Sequence, residues 1–147
     1  MGIEIRKASA NDSSIIAPLF DLYRIFYKQK SDVKAAAEFI QERLLNNESV
    51  IFLAFLGSEA VGFTQLYPIF SSVSIGKAWL LNDLFVHEKA RGKGVASELL
   101  DAAKQLGTET NCKWLMLQTA HDNFTAQSVY EKNGWERSEF YSYYFYL

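Results

Sequence analysis

The chain has one cysteine, two prolines and no long apolar run, and each shortage closes off a class of protein. Cys112 by itself forms no internal disulfide and no thiolate metal cluster, and it suits a reducing compartment, so the cytoplasm is the expected location. The opening residues MGIEIRKASANDS lack the basic, apolar and small-residue succession of a signal peptide. Nothing in the chain approaches the roughly 20 apolar residues that span a bilayer. Charge of one sign is also missing: 15 Lys and Arg against 17 Asp and Glu leave a formal net charge of −2 with no basic block. Neither a membrane nor a nucleic acid is therefore an expected partner. His87 and His121 have no acidic or histidine partner at metal-ligand spacing, and no metal is expected.

What is present is the composition of a folded protein: 147 residues, 49% of them apolar, with no repeat and no linker. One domain over residues 1–147 is expected. Ile3 and Ile5 alternate with Glu4 and Arg6 as in a half-buried strand, and Ser9 with Asp12 resembles a capping box. Ile15 to Tyr27 carries apolar residues at helical spacing, and a second helix is expected from Ser31 or Asp32 to Asn46 and Asn47. Val50–Leu56 and Ala60–Tyr67 flank Gly57-Ser58-Glu59 as a hairpin, and 68–77 reads as a loop. Next comes AWLLNDLFV, an apolar strand over 78–86 broken by Asn82 and Asp83. A helix from Gly94 ends at Gly107, a strand covers Trp114 to Gln118, and a helix covers Phe124 to Lys132. The aromatic tail YSYYFYL is strongly β-prone and is expected to add one or two strands.

Between the broken strand and the helix lies Arg91-Gly92-Lys93-Gly94-Val95-Ala96. Such a turn points main-chain N–H groups and the positive helix end at an anion, and glycines let a diphosphate approach the backbone. The spacing is wrong for a P-loop, which needs four residues between its glycines and then Lys-Ser or Lys-Thr. It is also wrong for a dinucleotide fold, since Trp114 to Gln118 supplies no acidic residue at the end of the next strand. Arg91, Gly94 and Ala96 instead resemble the signature of the GNAT superfamily of N-acetyltransferases. Asn123, Ala126, Tyr130, Gly134 and Trp135 resemble that superfamily's later motif at the same intervals. The likeness covers roughly Trp79 to Trp135.

The resemblance implies an α/β (α+β) fold: a mixed, mostly antiparallel sheet of about six or seven strands flanked by about four helices, splayed at the cofactor site. It implies acetyl-CoA as cosubstrate and transfer of its acetyl group to an amine. By position, Arg91, Gly92, Lys93, Gly94, Val95 and Ala96 would hold the diphosphate. Main-chain donors at Leu84, Phe85 and Val86, with Asn123, Ala126 and Tyr130, would take the pantetheine arm and the thioester. Leu84 would stabilise the oxyanion and Tyr130 would protonate the leaving thiolate. Asp83 is either the proton acceptor or a structural hydrogen-bonding residue. Polyamine acetyltransferases, whose Leu-x-Asp-x-Phe-Val pattern this strand resembles, carry a glutamate where Asn82 stands, so polyamine specificity is open.

Tyr23, Phe26, Tyr27, Tyr67 and Phe70, with Asn82 and Asp83, are the candidate acceptor residues. An aromatic box of this kind suits a cation or an apolar amine, and the expected acceptor is a small molecule such as a polyamine or an amino acid, with a protein lysine as the other candidate. Cys112 has no adjacent histidine and is not expected to act as a nucleophile. An acetyl-CoA sensor without turnover is the alternative. The tail is expected at a sheet edge, where it would pair two subunits into a homodimer.

Overall fold

The computed structural model describes residues 2–147. Strand β1 (Ile3–Lys7) opens the chain and pairs antiparallel with β2 (Val50–Leu56). Between them, Ser9 and Asp12 close the expected capping box around a short 3-10 turn that leads into α1 (Ser13–Phe26). Helix α2 (Val33–Leu45) starts where Asp32 accepts the N–H of Ala35. Hydrogen bonds to Asp21, from the hydroxyl of Ser31 and the N–H of Asp32, fix the α1 to α2 link against the helix it leaves.

Strands β3 (Glu59–Ser71) and β4 (Gly76–Val86) form a hairpin longer than its sequence suggests. The expected loop over 68–77 shrinks to a turn at 72–75, because the strands run on around it: Pro68 pairs opposite Trp79 and Phe70 opposite Lys77. Proline is tolerated here because β2 pairs with β3 only as far as Leu66, so no neighbour on that side requires its missing N–H. Helix α3 (Val95–Glu109) continues through Gly107, which is packed beside Cys112, and the chain leaves it at Asn111 with φ 53. Strand β5 (Leu115–Met116) runs parallel to β4, and α4 (Phe124–Lys132) follows.

Among the described residues the sheet order is β1-β2-β3-β4-β5, with five strands where six or seven were expected. The shortfall lies in the C-terminal third. Strand β5 pairs for two residues only, and the tail, although β-prone, joins no sheet. Propensity favours an extended backbone, but a strand also needs an edge long enough to receive its ladder.

Both faces of the sheet are covered. Ile16, Phe20 and Ile40 of α1 and α2 pack on Ile51, Leu53, Phe63 and Phe85 on one face. On the other, Val95, Leu99, Leu100 and Leu106 of α3 pack on Val61, Leu66, Trp79 and Leu81. Side chains alternate between faces along a strand, so a single extra residue reverses the assignment beyond it. Asn82 is that residue: Gln65 pairs with Asp83 and Leu66 with Leu81, leaving Asn82 unpaired in a bulge. Trp79 and Leu81 face α3, whereas past the bulge Asp83 and Phe85 face α1 and α2, and Leu84 returns to the α3 side.

Candidate active site

The polar interruption of β4 thus creates a place where both faces of the sheet meet. Asp83 is 2% exposed. Its carboxylate accepts from Gln65 Nε2 at 2.5 Å and from Asn82 Nδ2 at 2.7 Å, and its main-chain carbonyl accepts from Thr64 Oγ1 at 2.8 Å. Burial raises the Asp83 pKa above the usual carboxylate value, and the hydrogen bonds from Gln65 and Asn82 oppose that rise. Gln65 Oε1 is buried with no partner among the described residues. The sequence reading missed Gln65 and Thr64, although two polar residues inside the otherwise apolar strand Val61–Leu66 were the available signal.

Above Asp83 stands Tyr23 of α1, whose hydroxyl donates to the Asn82 carbonyl at 3.1 Å. Its ring packs edge-on against Phe63 at 5.9 Å and Tyr27 at 5.0 Å. Burial, then the charge of Asp83, pushes the Tyr23 phenol far above its ordinary range, and the same two causes push Tyr67 up to about 12. Phe26 lies at the rim, 60% exposed and edge-on to Tyr27 at 5.3 Å. Phe70 is not part of this group: it is 82% exposed and lies beyond Tyr67 toward the tip of the hairpin.

The other half of the site begins where β5 parts from β4. They pair only at Trp79 and Leu80, so the stretch from Leu81 to Val86 has no strand on that side, which is the expected splay. The N–H of His87 bonds the Val61 carbonyl on the β3 side. Alternation then turns the amides of Leu84 and Val86 to the open side and that of Phe85 toward β3. Consistent with this, the outward carbonyl of Val86 accepts from Arg91 Nε at 3.1 Å, which ties the strand to the turn that follows.

In that turn Gly92 has φ 74 and Gly94 has φ 86, left-handed values that favour glycine. A Cβ placed on either would meet nothing within 4 Å, so the turn opens outward. Gly94 caps α3 with no side-chain hydrogen bond, and the first-turn N–H groups of a helix have no intrahelical acceptor. With Arg91 and Lys93 exposed beside it, this cradle fits the diphosphate of a coenzyme A.

Helix α4 supplies the remaining candidates. Asn123 Oδ1 accepts the N–H of Ala126 at 3.2 Å, so the side chain caps the helix while its Nδ2 stays able to donate. Tyr130 is partly buried in the same apolar cluster as Leu84, Leu100 and Trp135. Burial first, then Tyr27, raises its pKa. Cys112 lies just past the end of α3, on the same core cluster as Tyr130, with its Sγ 3.5 Å from the Trp114 carbonyl and no histidine bonded to it among the described residues.

A mixed sheet that splays beside a glycine turn at a helix N-terminus, with a buried carboxylate and a tyrosine on opposite sides of the splayed strand, fits an acyl-CoA-dependent transferase. The chain belongs to the family described as the Acetyltransferase (GNAT) family, whose profile matches residues 16–135, and it is an acetyl-CoA-dependent acyltransferase. It is 51% identical over 134 residues to the uncharacterized N-acetyltransferase YhfO of Bacillus subtilis, covering 91% of this chain and 90% of that one. A crystal structure described as a probable acetyltransferase superposes with a TM-score of 0.91 at 41% identity, covering 98% of this chain and 97% of that one. More distantly, an aminoglycoside N(6')-acetyltransferase type 1 of Salmonella typhimurium is 26% identical over 102 residues, 67% of this chain and 70% of that one.

Proposed function

We propose that this enzyme moves the acetyl group of acetyl-CoA onto a primary amine of a small molecule by direct attack, with no covalent enzyme intermediate. The observation that carries the reading is the bulge at Asn82, which turns Asp83 toward Tyr23 on the α1 side and Leu84 toward Tyr130 on the α3 side. Acceptor and donor groups then converge on a single strand. Acetyl-CoA supplies the activated thioester. Its diphosphate is held by the main chain of Gly92 to Ala96 with Arg91 and Lys93, and its arm by Val86, Asn123 and Ala126, with Phe85 in the strand floor.

Leu84 offers its outward N–H to the oxygen on which negative charge develops, an effect worth about 3 kcal/mol in comparable sites. Tyr130 gives its proton to the departing thiolate, and a donor with a raised pKa remains protonated until that moment. Asp83 accepts the proton of the amine, and its raised pKa moves it toward the pH at which a general base is most effective. Tyr23, Tyr27 and Tyr67, with Phe26 at the rim and Asn82 in the strand, receive the acceptor, whose positive charge suits aromatic faces beside a carboxylate.

The name of the aminoglycoside relative supports a small amine over a protein lysine. The chain acts as one domain over residues 1–147, in the cytoplasm, as a homodimer. No helix among the described residues is long and apolar enough to cross a membrane, and the single cysteine suits a reducing compartment. The test is release of free thiol from acetyl-CoA over a panel of small amines, polyamines, amino acids and lysine peptides, with calorimetry of CoA binding alongside. Thiol release with a small amine is expected; CoA binding without thiol release for any amine would instead make this a sensor.

A further inference from the structure

Gln65 sits in the middle of β3 with no exposure to solvent, between Ile51 of β2 and Asp83 of β4 across the sheet. A buried amide costs free energy unless both of its ends are paired. Here only one end is. Nε2 donates to Asp83 Oδ2 at 2.5 Å, while Oε1 of the same planar group has no partner among the described residues. The two ends differ in character but hardly in size, so turning the amide about its last bond presents Oε1 to Asp83 and leaves Nε2 unpaired instead. In either orientation Gln65 meets Asp83 with one end and nothing with the other.

The two orientations suit different forms of the carboxyl. An ionised carboxylate only accepts, which matches Nε2; a protonated carboxyl has an O–H to donate, which matches Oε1. No cation pairs with Asp83 among the described residues, so hydrogen bonds decide between the forms. The titratable groups around it are phenols, Tyr23 with Tyr27 beside it on α1 and Tyr67 on β3, and past Tyr67 the ion pair of Arg43 and Glu48 at the end of α2. Asn82 and Tyr23 also donate to the carboxylate. Asn82 is exposed and can exchange its bond for one with water, whereas Gln65 has no water to turn to.

We propose that Gln65 is the positioning residue of Asp83: Nε2 holds the carboxylate ionised until the amine arrives, and the amide then turns Oε1 inward to receive the new O–H. This rests on the reading of Asp83 as the proton acceptor. In that step an N–H bond of the amine breaks, an O–H bond forms on Asp83, and the electron pair stays on nitrogen. Gln65 itself is too deep to touch either substrate and acts only through Asp83.

Two substitutions of similar volume test the role. Gln65→Met takes away a donor to the charged form, so the acidic limb of kcat/KM should move up by about one to two pH units, with most of the rate regained above it. Gln65→Glu sets a second carboxyl against the first, the pair shares one proton, and the limb should again move up. A loss of rate equal at every pH in Gln65→Met, with the limb in place, would mean packing only and overturns the proposal.

The turning of the amide is read by NMR in the resting protein, without cofactor or amine. With glutamine labelled at its side-chain nitrogen, the Gln65 signal, identified by its loss in Gln65→Met, should shift with pH at the midpoint of the Asp83 carboxyl carbon and stop shifting in Asp83→Asn. A Gln65 signal indifferent to the Asp83 titration also overturns the proposal. If the two signals titrate together yet the acidic limb survives in Asp83→Asn, the failure lies in the reading of Asp83 as proton acceptor, and the catalytic part of Gln65 falls with it.

Discussion

Tyr23 on α1 donates its hydroxyl to the main-chain carbonyl of Asn82, 3.1 Å away across the interface between helix and sheet. Asn82 is the extra residue of the β4 bulge, so this bond holds helix α1 to the one point of the strand that has no partner in β3. It couples the position of the acceptor aromatics to the shape of the splayed strand.

Tyr23→Phe removes that bond together with the hydrogen bonding of the phenol to the Asp83 carboxylate. The expected cost is about 1 kcal/mol of stability, read by urea unfolding. The KM for the amine should rise while the KM for acetyl-CoA stays constant, because the diphosphate cradle lies on the other side of β4. Equal effects on both would place Tyr23 outside the acceptor side.

Asp83 makes stability depend on pH with a definite sign. Its folded pKa lies above the unfolded value, so the folded state binds the extra proton between the two. Its contribution is full below the unfolded pKa and is lost as pH rises through the folded one. Urea unfolding across that window should show stability falling with pH, and Asp83→Asn should flatten the slope. In catalysis the same variant should abolish the acidic limb of the kcat/KM profile; an unaltered limb would assign Asp83 a purely structural role.

Gly94→Val tests the cradle. Nothing stands within 4 Å of a Cβ there, so the cost is conformational: φ 86 is left-handed, and a branched side chain resists it by about 1–2 kcal/mol. Thermal stability should drop modestly, and CoA affinity by calorimetry should weaken about tenfold or more, since 1.4 kcal/mol is one decade.

Tyr130→Phe preserves the ring against Trp135, 6.5 Å away, and removes only the acid. Single-turnover rates should fall by about a hundredfold, the lower end for general acid catalysis, with CoA affinity little changed. Because its pKa is raised, the unaltered enzyme should show no loss of kcat from Tyr130 on the alkaline side below the ordinary phenol range.

The sequence reveals most of this arrangement where chemistry requires a particular residue. Gly92 and Gly94 were legible because the turn needs left-handed backbone, and Asn82-Asp83 because polar residues interrupt an apolar strand. The length of the β3 and β4 hairpin was not, because Pro68 reads as a breaker unless one knows that β2 begins at Val50, opposite Leu66, and reaches no further along β3. Gln65 escaped for a related reason: its meaning lies in Asp83 opposite, 18 residues away, and no local pattern records that register. Gly107 likewise reads as a helix end, yet it lies inside α3 where a Cβ would crowd Cys112, again a contact and not a motif. The tail shows the converse, since strong local preference produced no ladder.

Helix α4 buries no residue fully, yet it is not adrift. Lys104 Nζ on α3 grips the carbonyl of Asn133 at 2.6 Å, and Asn133 Nδ2 reaches back to Ser97 Oγ at 3.1 Å, one turn from the start of α3. The two bonds tie the end of α4 to α3 at two points, so under the proposed function the glycine turn that opens α3 and Tyr130 on α4 share one connection.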